Sequence, residues 1–298
     1  MIAFMSPRSH FAPALLAIGA LLVAMVSYQC GASLAKDLFP AVGAEGATAY
    51  RLGLSALILV LLRRPWKSSP TRSDWRVLWG YGLAIGAMNL VFYMSLRTIP
   101  LGIAVALEFT GPLALALFGS RRLIDFVWIA LVVAGLALLS PLHGYEKALD
   151  PLGVVYALAA GVGWALYIVL GQKAGAAYGV NAVTFGTSIG ALVAIPAGVL
   201  HAGTALLSVK LLPYALGVAV LSSALPYSLE MIALTRLPTR TFSTLLSLEP
   251  AIAALAGVAL LNEHLGPLQW LAITAIVVAA AGTALGTGRA ALTEPLAN

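Results

Sequence analysis

Ten stretches of mostly apolar residues, each closed by a short polar break, run through this 298-residue chain. In the first half they cover Pro13–Ala35, Ala44–Leu62, Trp75–Leu96, Leu101–Ser120 and Ile124–Pro141. In the second they cover Leu152–Gly171, Val180–Leu200, Leu211–Ala233, Thr241–Leu261 and Pro267–Thr287. A helix needs about 20 such residues to cross roughly 30 Å of hydrocarbon. The pattern therefore predicts an all-α integral membrane protein with ten transmembrane helices and no separate soluble domain. The second stretch is the least apolar, because it carries Glu45 and Arg51. Arg8 ahead of the first stretch has the outline of a signal peptide. Nine more stretches follow, however, and Gln29 before Cys30 is a poor lipoprotein-type processing context, so the first is read as a retained span.

Composition narrows the class further. Hydrophobic residues make up 61% of the chain and charged ones 9%, against roughly 25% charged in a soluble domain. That excludes a cytosolic enzyme, a nucleic-acid binder and a disordered protein. The net charge of +6 is distributed by side. With the amino terminus inside, Arg8, Arg63, Arg64, Lys67, Arg72, Arg76, Arg121, Arg122, Lys173, Arg236, Arg240 and Arg289 fall on the cytoplasmic side. Only Lys36, Arg97, Lys147 and Lys210 fall outside, and Arg51 lies within a span. Positive residues collect on cytoplasmic loops, which places both termini in the cytoplasm. The single cysteine, Cys30, excludes an internal disulfide. His10, His143, His201 and His264 have no metal-ligand spacing. No Gly-x4-Gly-Lys-Ser/Thr loop is present, so no nucleotide or other cofactor is expected.

The two halves repeat. Leu96, Pro100, Pro112, Ala116 and Gly119 recur as Leu234, Pro238, Pro250, Ala254 and Gly257 at a constant shift of 138. Ala20, Leu21 and Lys36 recur as Ala157, Leu158 and Lys173 at a shift of 137. Residues 1–145 and 146–298 are accordingly read as two five-helix repeats. An odd number of spans forces the second copy to cross the membrane upside down, and the loop charges agree. Segment 63–74 holds four basic residues and its twin 201–210 only Lys210; Arg121 and Arg122 have no basic counterpart in Asn262–Gly266. Inverted repeats of this kind are a recurrent plan of secondary transporters. A duplicated membrane protein without a transport role would carry the same repeat.

Ionisable groups within spans cost about 2.5–3.5 kcal/mol each on insertion scales, and usually face a cavity or a partner. Glu108 sits about 11 Å into the fourth span and Glu249 about 12 Å into the ninth, entering from opposite sides at 1.5 Å per residue. Each stands beside a helix-breaking proline, Pro112 or Pro250. A proline frees the carbonyl four residues earlier, here those of Glu108 and Leu246. Carboxylates and freed carbonyls together predict one polar pocket; the alternative is that each glutamate is neutral and bonds a neighbouring helix. Glu230, in Pro226-Tyr227-Ser228-Leu229-Glu230, is placed toward the cytoplasmic end, to gate the inner mouth or to snorkel. Asn89 and Gln29 either meet substrate or join helices. Arg51 with Glu45 is read as a buried or interfacial ion pair. Trp164 and Tyr167 form a cavity wall or pack between helices, and Trp66, Trp75 and Trp79 are interface anchors.

These residues carry a resemblance. Pro100-Leu-Gly-Ile-Ala-Val-Ala-Leu-Glu108-Phe-Thr-Gly-Pro112-Leu-Ala, ending in Ser120-Arg-Arg122, is similar to bacterial threonine/homoserine exporters in the EamA branch of the drug/metabolite transporter superfamily. So are Leu225-Pro-Tyr-Ser-Leu-Glu230-Met, continuing to Phe242, and Gln29-x-Gly31-Ala-Ser-Leu-Ala-Lys36-x-Leu-Phe-Pro40. The glutamate–proline elements mark the superfamily; the Pro-Tyr-Ser-Leu-Glu-Met block points to the amino-acid exporters. Cys30 departs from the pattern, standing where a small helix-packing residue is expected. The resemblance implies ten helices, a bacterial inner-membrane location, and efflux of small zwitterionic amino acids. Glu108 and Glu249 would then accept the ammonium, and Asn89, Gln29 or backbone N–H groups would meet the carboxylate. A carboxyl that exchanges a proton for that ammonium would couple export to the proton gradient. Besides substrate, protons and lipid, no partner is expected, and monomer and homodimer stay open. Export of another metabolite or a drug is the nearest alternative. A membrane-embedded lipid-modifying enzyme would need its acidic residues clustered at one membrane face, whereas here they scatter over several spans.

Overall fold

The computed structural model describes residues 8–68, 70–118, 123–138, 149–237, 242, 245–246 and 248–291. Arg121, Arg122, His143, Lys147, Pro238 and Arg240 lie outside the described residues, as do the side chains of Arg8, His10 and Arg289. The described chain is helical throughout. Its elements are α1 (Arg8–Lys36), α2 (Phe39–Arg63), α3 (Arg72–Ser95), α4 (Leu101–Glu108), α5 (Thr110–Phe118) and α6 (Leu123–Leu138). They continue as α7 (Pro151–Tyr178), α8 (Asn181–Ala202), α9 (Leu212–Ala219), α10 (Leu225–Arg236), α11 (Glu249–Leu261) and α12 (Pro267–Ala291). Among the described residues, six helical segments are long and apolar enough to cross a membrane, and four shorter apolar helices accompany them.

Polar contacts between helix ends sort the bundle into two faces. Lys36 at the end of α1 meets Glu263 after α11, and Arg97 after α3 meets Glu45 near the start of α2. Asp150 caps α7 by accepting from the Leu152 and Gly153 N–H groups. The Thr98 hydroxyl, followed by those N–H groups, holds its carboxyl below the usual carboxylate range. On the other face Thr71 and Asp74 form a capping box at the start of α3. The Tyr178 hydroxyl, at the end of α7, donates to Asp74 at 2.6 Å, and Asn181 at the start of α8 donates to Ser68. Chain direction therefore alternates from α1 to α2 to α3, and again from α7 to α8.

The helices pair as α2 with α8, α3 with α7 and α8, α1 with α10, α4 with α11, and α6 with α12. Many leucines and valines point outward, among them Leu16, Val26, Leu57, Leu61, Val162 and Leu192. In hydrocarbon this is favourable, since lipid tails are as apolar as a protein core.

Three spans are interrupted, the fourth where its proline predicts and the second and eighth without such an expectation. In α2, Gly43 at φ 68° and ψ 177° interrupts the helix after Val42, a conformation open to glycine. The fourth span divides into α4 and α5 at Phe109, because Pro112 offers no N–H to the Glu108 carbonyl and its ring crowds that oxygen. The eighth span is α9 and α10 joined by a π-helical turn over Val220–Ala224. Pro226 is the cause, since it lacks the N–H that would close on Ser222.

Glu263 does more than its place in a five-residue turn foretold. Both its carboxylate oxygens accept from the Leu101 N–H, at 3.1 and 2.9 Å, and one also accepts from Lys36 Nζ at 2.8 Å. It caps α4, whose own N-cap is Pro100 and has no side-chain acceptor. A cap contributes about 1–2 kcal/mol, whereas a partly exposed ion pair contributes about 0.2–1 kcal/mol. Glu263→Ala is thus expected to lower the melting temperature of the detergent-solubilised protein clearly more than Lys36→Ala does. Equal effects in a size-exclusion melting assay would place the stability in the ion pair instead.

Candidate functional site

The two helix breaks bring carboxylates to the centre. Glu108 is the last residue of α4 and Glu249 the first of α11, and these helices pack on one another. Helix α7 approaches the α4–α5 break at Gly161, where a Cβ would lie 2.5 Å from the Glu108 carbonyl oxygen. A third carboxylate, Glu230, comes from α10. The three are only 8%, 7% and 8% exposed for Glu108, Glu249 and Glu230. They line one cavity together with Tyr28, Met88, Trp164, Tyr167 and Tyr227. The space open to the centres of water molecules there is about 20 Å³. A single water needs roughly 10–15 Å³ by the same measure. The cavity thus holds about one water, and an amino acid enters only if the helices part.

Polar side chains tie the cavity wall together. The Tyr28 and Tyr227 hydroxyls lie 2.9 Å apart, and Asn89 Nδ2 donates to Tyr227 at 2.7 Å. The same Asn89 nitrogen donates to the Ile85 carbonyl at 2.7 Å, so its amide hydrogens are taken. Gln29 Nε2 reaches Glu249 at 3.5 Å. Trp164 is set by an edge contact with Phe109, and Tyr167 by stacking on Tyr81.

Behind Tyr28 and Tyr227 lies Arg51, with no surface exposed. Its guanidinium carbon sits 4.6, 5.0 and 5.9 Å from the ring centres of Tyr28, Tyr93 and Tyr227. The π turn supplies its hydrogen bonds: Nη2 donates to the Ser222 carbonyl at 2.6 Å and Nε to Ser223 Oγ at 2.8 Å. Ser222 is the carbonyl released by Pro226, so one proline both reshapes the helix and creates the acceptor. Ser27 of α1 donates to the neighbouring Leu221 carbonyl at 2.7 Å. Close approach there depends on Gly31, where a Cβ would fall 2.6 Å from Ser222 N.

The structure thus gathers Glu108, Glu249, Glu230, Tyr227 and Trp164 at one cavity, and attaches Asn89 and Gln29 to it by hydrogen bonds. Pro112 and Pro250 flank its glutamates. Three expectations need correction. Arg51 is not paired with Glu45; that carboxylate meets Arg97 at 3.5 Å and lies 3.7 Å from His201. Six residues apart on a helix are not neighbours, so the two side chains leave α2 on different faces. Glu230 does not snorkel: α10 packs on α1, and the carboxyl is buried and lines the cavity. The close-packing position on α1 is Gly31, whereas Cys30 is half-buried with a free thiol. Tyr28, Met88 and the cavity-side place of Arg51 were missed. An arginine inside an apolar span was itself the available signal.

Comparison with known proteins agrees with this architecture. A model of the EamA-like transporter family matches residues 151–285. The threonine/homoserine exporter RhtA of Escherichia coli (strain K12) is 55% identical over 273 residues, covering 92% of each chain. Its namesake in Salmonella typhimurium (strain LT2) is 54% identical over the same length and coverage. A solved crystal structure with 19% identity superposes with a TM-score of 0.58, covering 94% of this chain and 99% of its own, and supports the fold alone.

Proposed function

The chain belongs to the EamA-like transporter family, and from that premise we propose that it exports threonine and homoserine across the bacterial inner membrane. The observation that carries the reading is the buried cluster of Glu108, Glu230 and Glu249 around a cavity at the helix breaks. An ammonium group entering that cluster finds up to three carboxylates, and the tyrosine and tryptophan walls fit a small side chain. Protons are the proposed counter-ion: a carboxylate released by the outgoing ammonium takes up a proton, so the two cations alternate on the same groups.

The bundle is proposed to be ten spans in two inverted repeats, residues 1–145 and 146–298. The pairing supports it. Helices α2 and α8, α4 and α11, and α6 and α12 each join a span to its counterpart, while α3 on α7 is mirrored by α10 on α1. A two-fold axis in the membrane plane produces that pattern. Arg63, Arg64, Lys67, Arg72 and Arg76 gather at the face of Asp74 and Tyr178, which supports a cytoplasmic assignment for that face and for both termini.

Efflux of labelled threonine from cells or vesicles containing the protein tests the reading. Efflux is expected to exceed the empty-membrane control, to be competed by homoserine, and to collapse when a protonophore dissipates the gradient. Competition by aromatic amino acids or drugs in place of homoserine would move the assignment to another substrate class. Efflux untouched by the protonophore would remove proton coupling.

A further inference from the structure

Resting on the export reading, we propose that Arg51, reached past the Tyr28–Tyr227 hydroxyl bridge, recognises the carboxylate of the substrate. Arginine stays charged in proteins, and a charge at membrane depth demands a counter-charge or a full set of hydrogen bonds. Arg51 has neither. It is fully buried, no carboxylate lies within ion-pair distance of it among the described residues, and Nη1 has no hydrogen-bond partner. Tyrosine rings supply part of the compensation through cation–π contact. They leave the guanidinium edge without an anion in contact with it.

The missing anion is one that the substrate brings. An amino-acid zwitterion carries both charged groups on one carbon, and the acidic cavity accounts only for the ammonium. The hydroxyl pair stands between that cavity and Arg51: both tyrosines line the cavity, and both rings face the guanidinium. The bridge uses one of the two hydroxyl hydrogens, and once it parts the Tyr28 hydroxyl is able to donate to a ligand oxygen. Asn89, whose amide hydrogens are already engaged, holds Tyr227 in place rather than serving as a donor to the ligand. When the cavity widens to admit an amino acid, the bridge parts. The carboxylate then takes the Tyr28 hydroxyl and Nη1 of Arg51, a planar guanidinium suited to carboxylate geometry.

The test compares L-threonine with L-threoninol, which keeps the ammonium and side chain and lacks the carboxylate. Calorimetric binding to the purified, detergent-solubilised full-length protein is expected to favour threonine at least tenfold. Arg51→Gln is expected to weaken threonine at least tenfold and leave threoninol within twofold, which collapses the preference. Arg51→Lys, which keeps the charge and loses the fork, and Tyr28→Phe are expected to weaken threonine alone by smaller factors. They carry the test where Arg51→Gln does not yield folded protein. Equal weakening of both ligands, or of neither, overturns the assignment and leaves the export reading intact. A wild-type protein that binds no threonine overturns the export reading itself.

Discussion

Glu108→Gln and Glu249→Gln are each expected to lower threonine efflux about ten- to a hundredfold while the protein still accumulates in the membrane. The exchange is nearly isosteric, so packing around the cavity is kept. What is lost is the negative charge and the exchangeable proton. A hydrogen bond to a charged group contributes about 1.5–3 kcal/mol, and each 1.4 kcal/mol corresponds to a tenfold change. The two positions are equivalent ends of one arrangement, entering the cavity from α4 and α11, so neither is expected to be dispensable. Efflux normalised to immunoblotted protein is the measurement. Full transport by both variants would take the substrate site away from this cavity. Glu230→Gln separates the proposed roles. A carboxylate shared with the ammonium costs transport as heavily as its two neighbours, whereas one that only lines the wall leaves it within a few-fold.

How much of this was legible beforehand depended on the energetic cost of each residue in hydrocarbon. Glu108 and Glu249 stood out because a charge within an apolar span needs a reason, and their prolines announced breaks that α4, α5 and α11 do contain. Arg51 met the same criterion but was assigned to the nearest acid in sequence; its real surroundings come from α1, α3 and the π turn, far along the chain. Tyr28 and Met88 gave no signal at all. In a soluble helix the inward face is marked by apolar residues against polar ones. Here the outward face is as apolar as the inward one, so periodicity does not say which tyrosine faces a cavity and which faces lipid. The π turn was closer to readable, since Pro226 four residues after Ser222 predicts a free carbonyl, though not that Arg51 would find it.

Two glycines on α1 turn the same substitution into opposite outcomes. A Cβ at Gly19 meets nothing within 4 Å, and the position is on the exposed face of α1. Gly19→Ala therefore removes only the conformational freedom of glycine, and is expected to leave transport unchanged and to stabilise by about 0.5–1 kcal/mol. A Cβ at Gly31 would stand 2.6 Å from both the nitrogen and the Cβ of Ser222, and 2.8 Å from the Leu221 carbonyl carbon. Those are backbone and near-backbone atoms of the π turn, which have no rotamer by which to yield. Gly31→Ala must push α1 away from the π turn, at a cost of about 1–3 kcal/mol for overpacking. The displacement falls on the Ser27 bond to Leu221 and on the turn that holds Arg51, so efflux is expected to drop more than the loss of folded protein accounts for. Gly31→Leu is expected to abolish folded protein. Melting in detergent and efflux per folded molecule separate the two effects. A Gly31→Ala protein as stable and active as the Gly19→Ala one would mean that α1 and the π turn do not meet as closely as described, and with them would go the support behind Arg51.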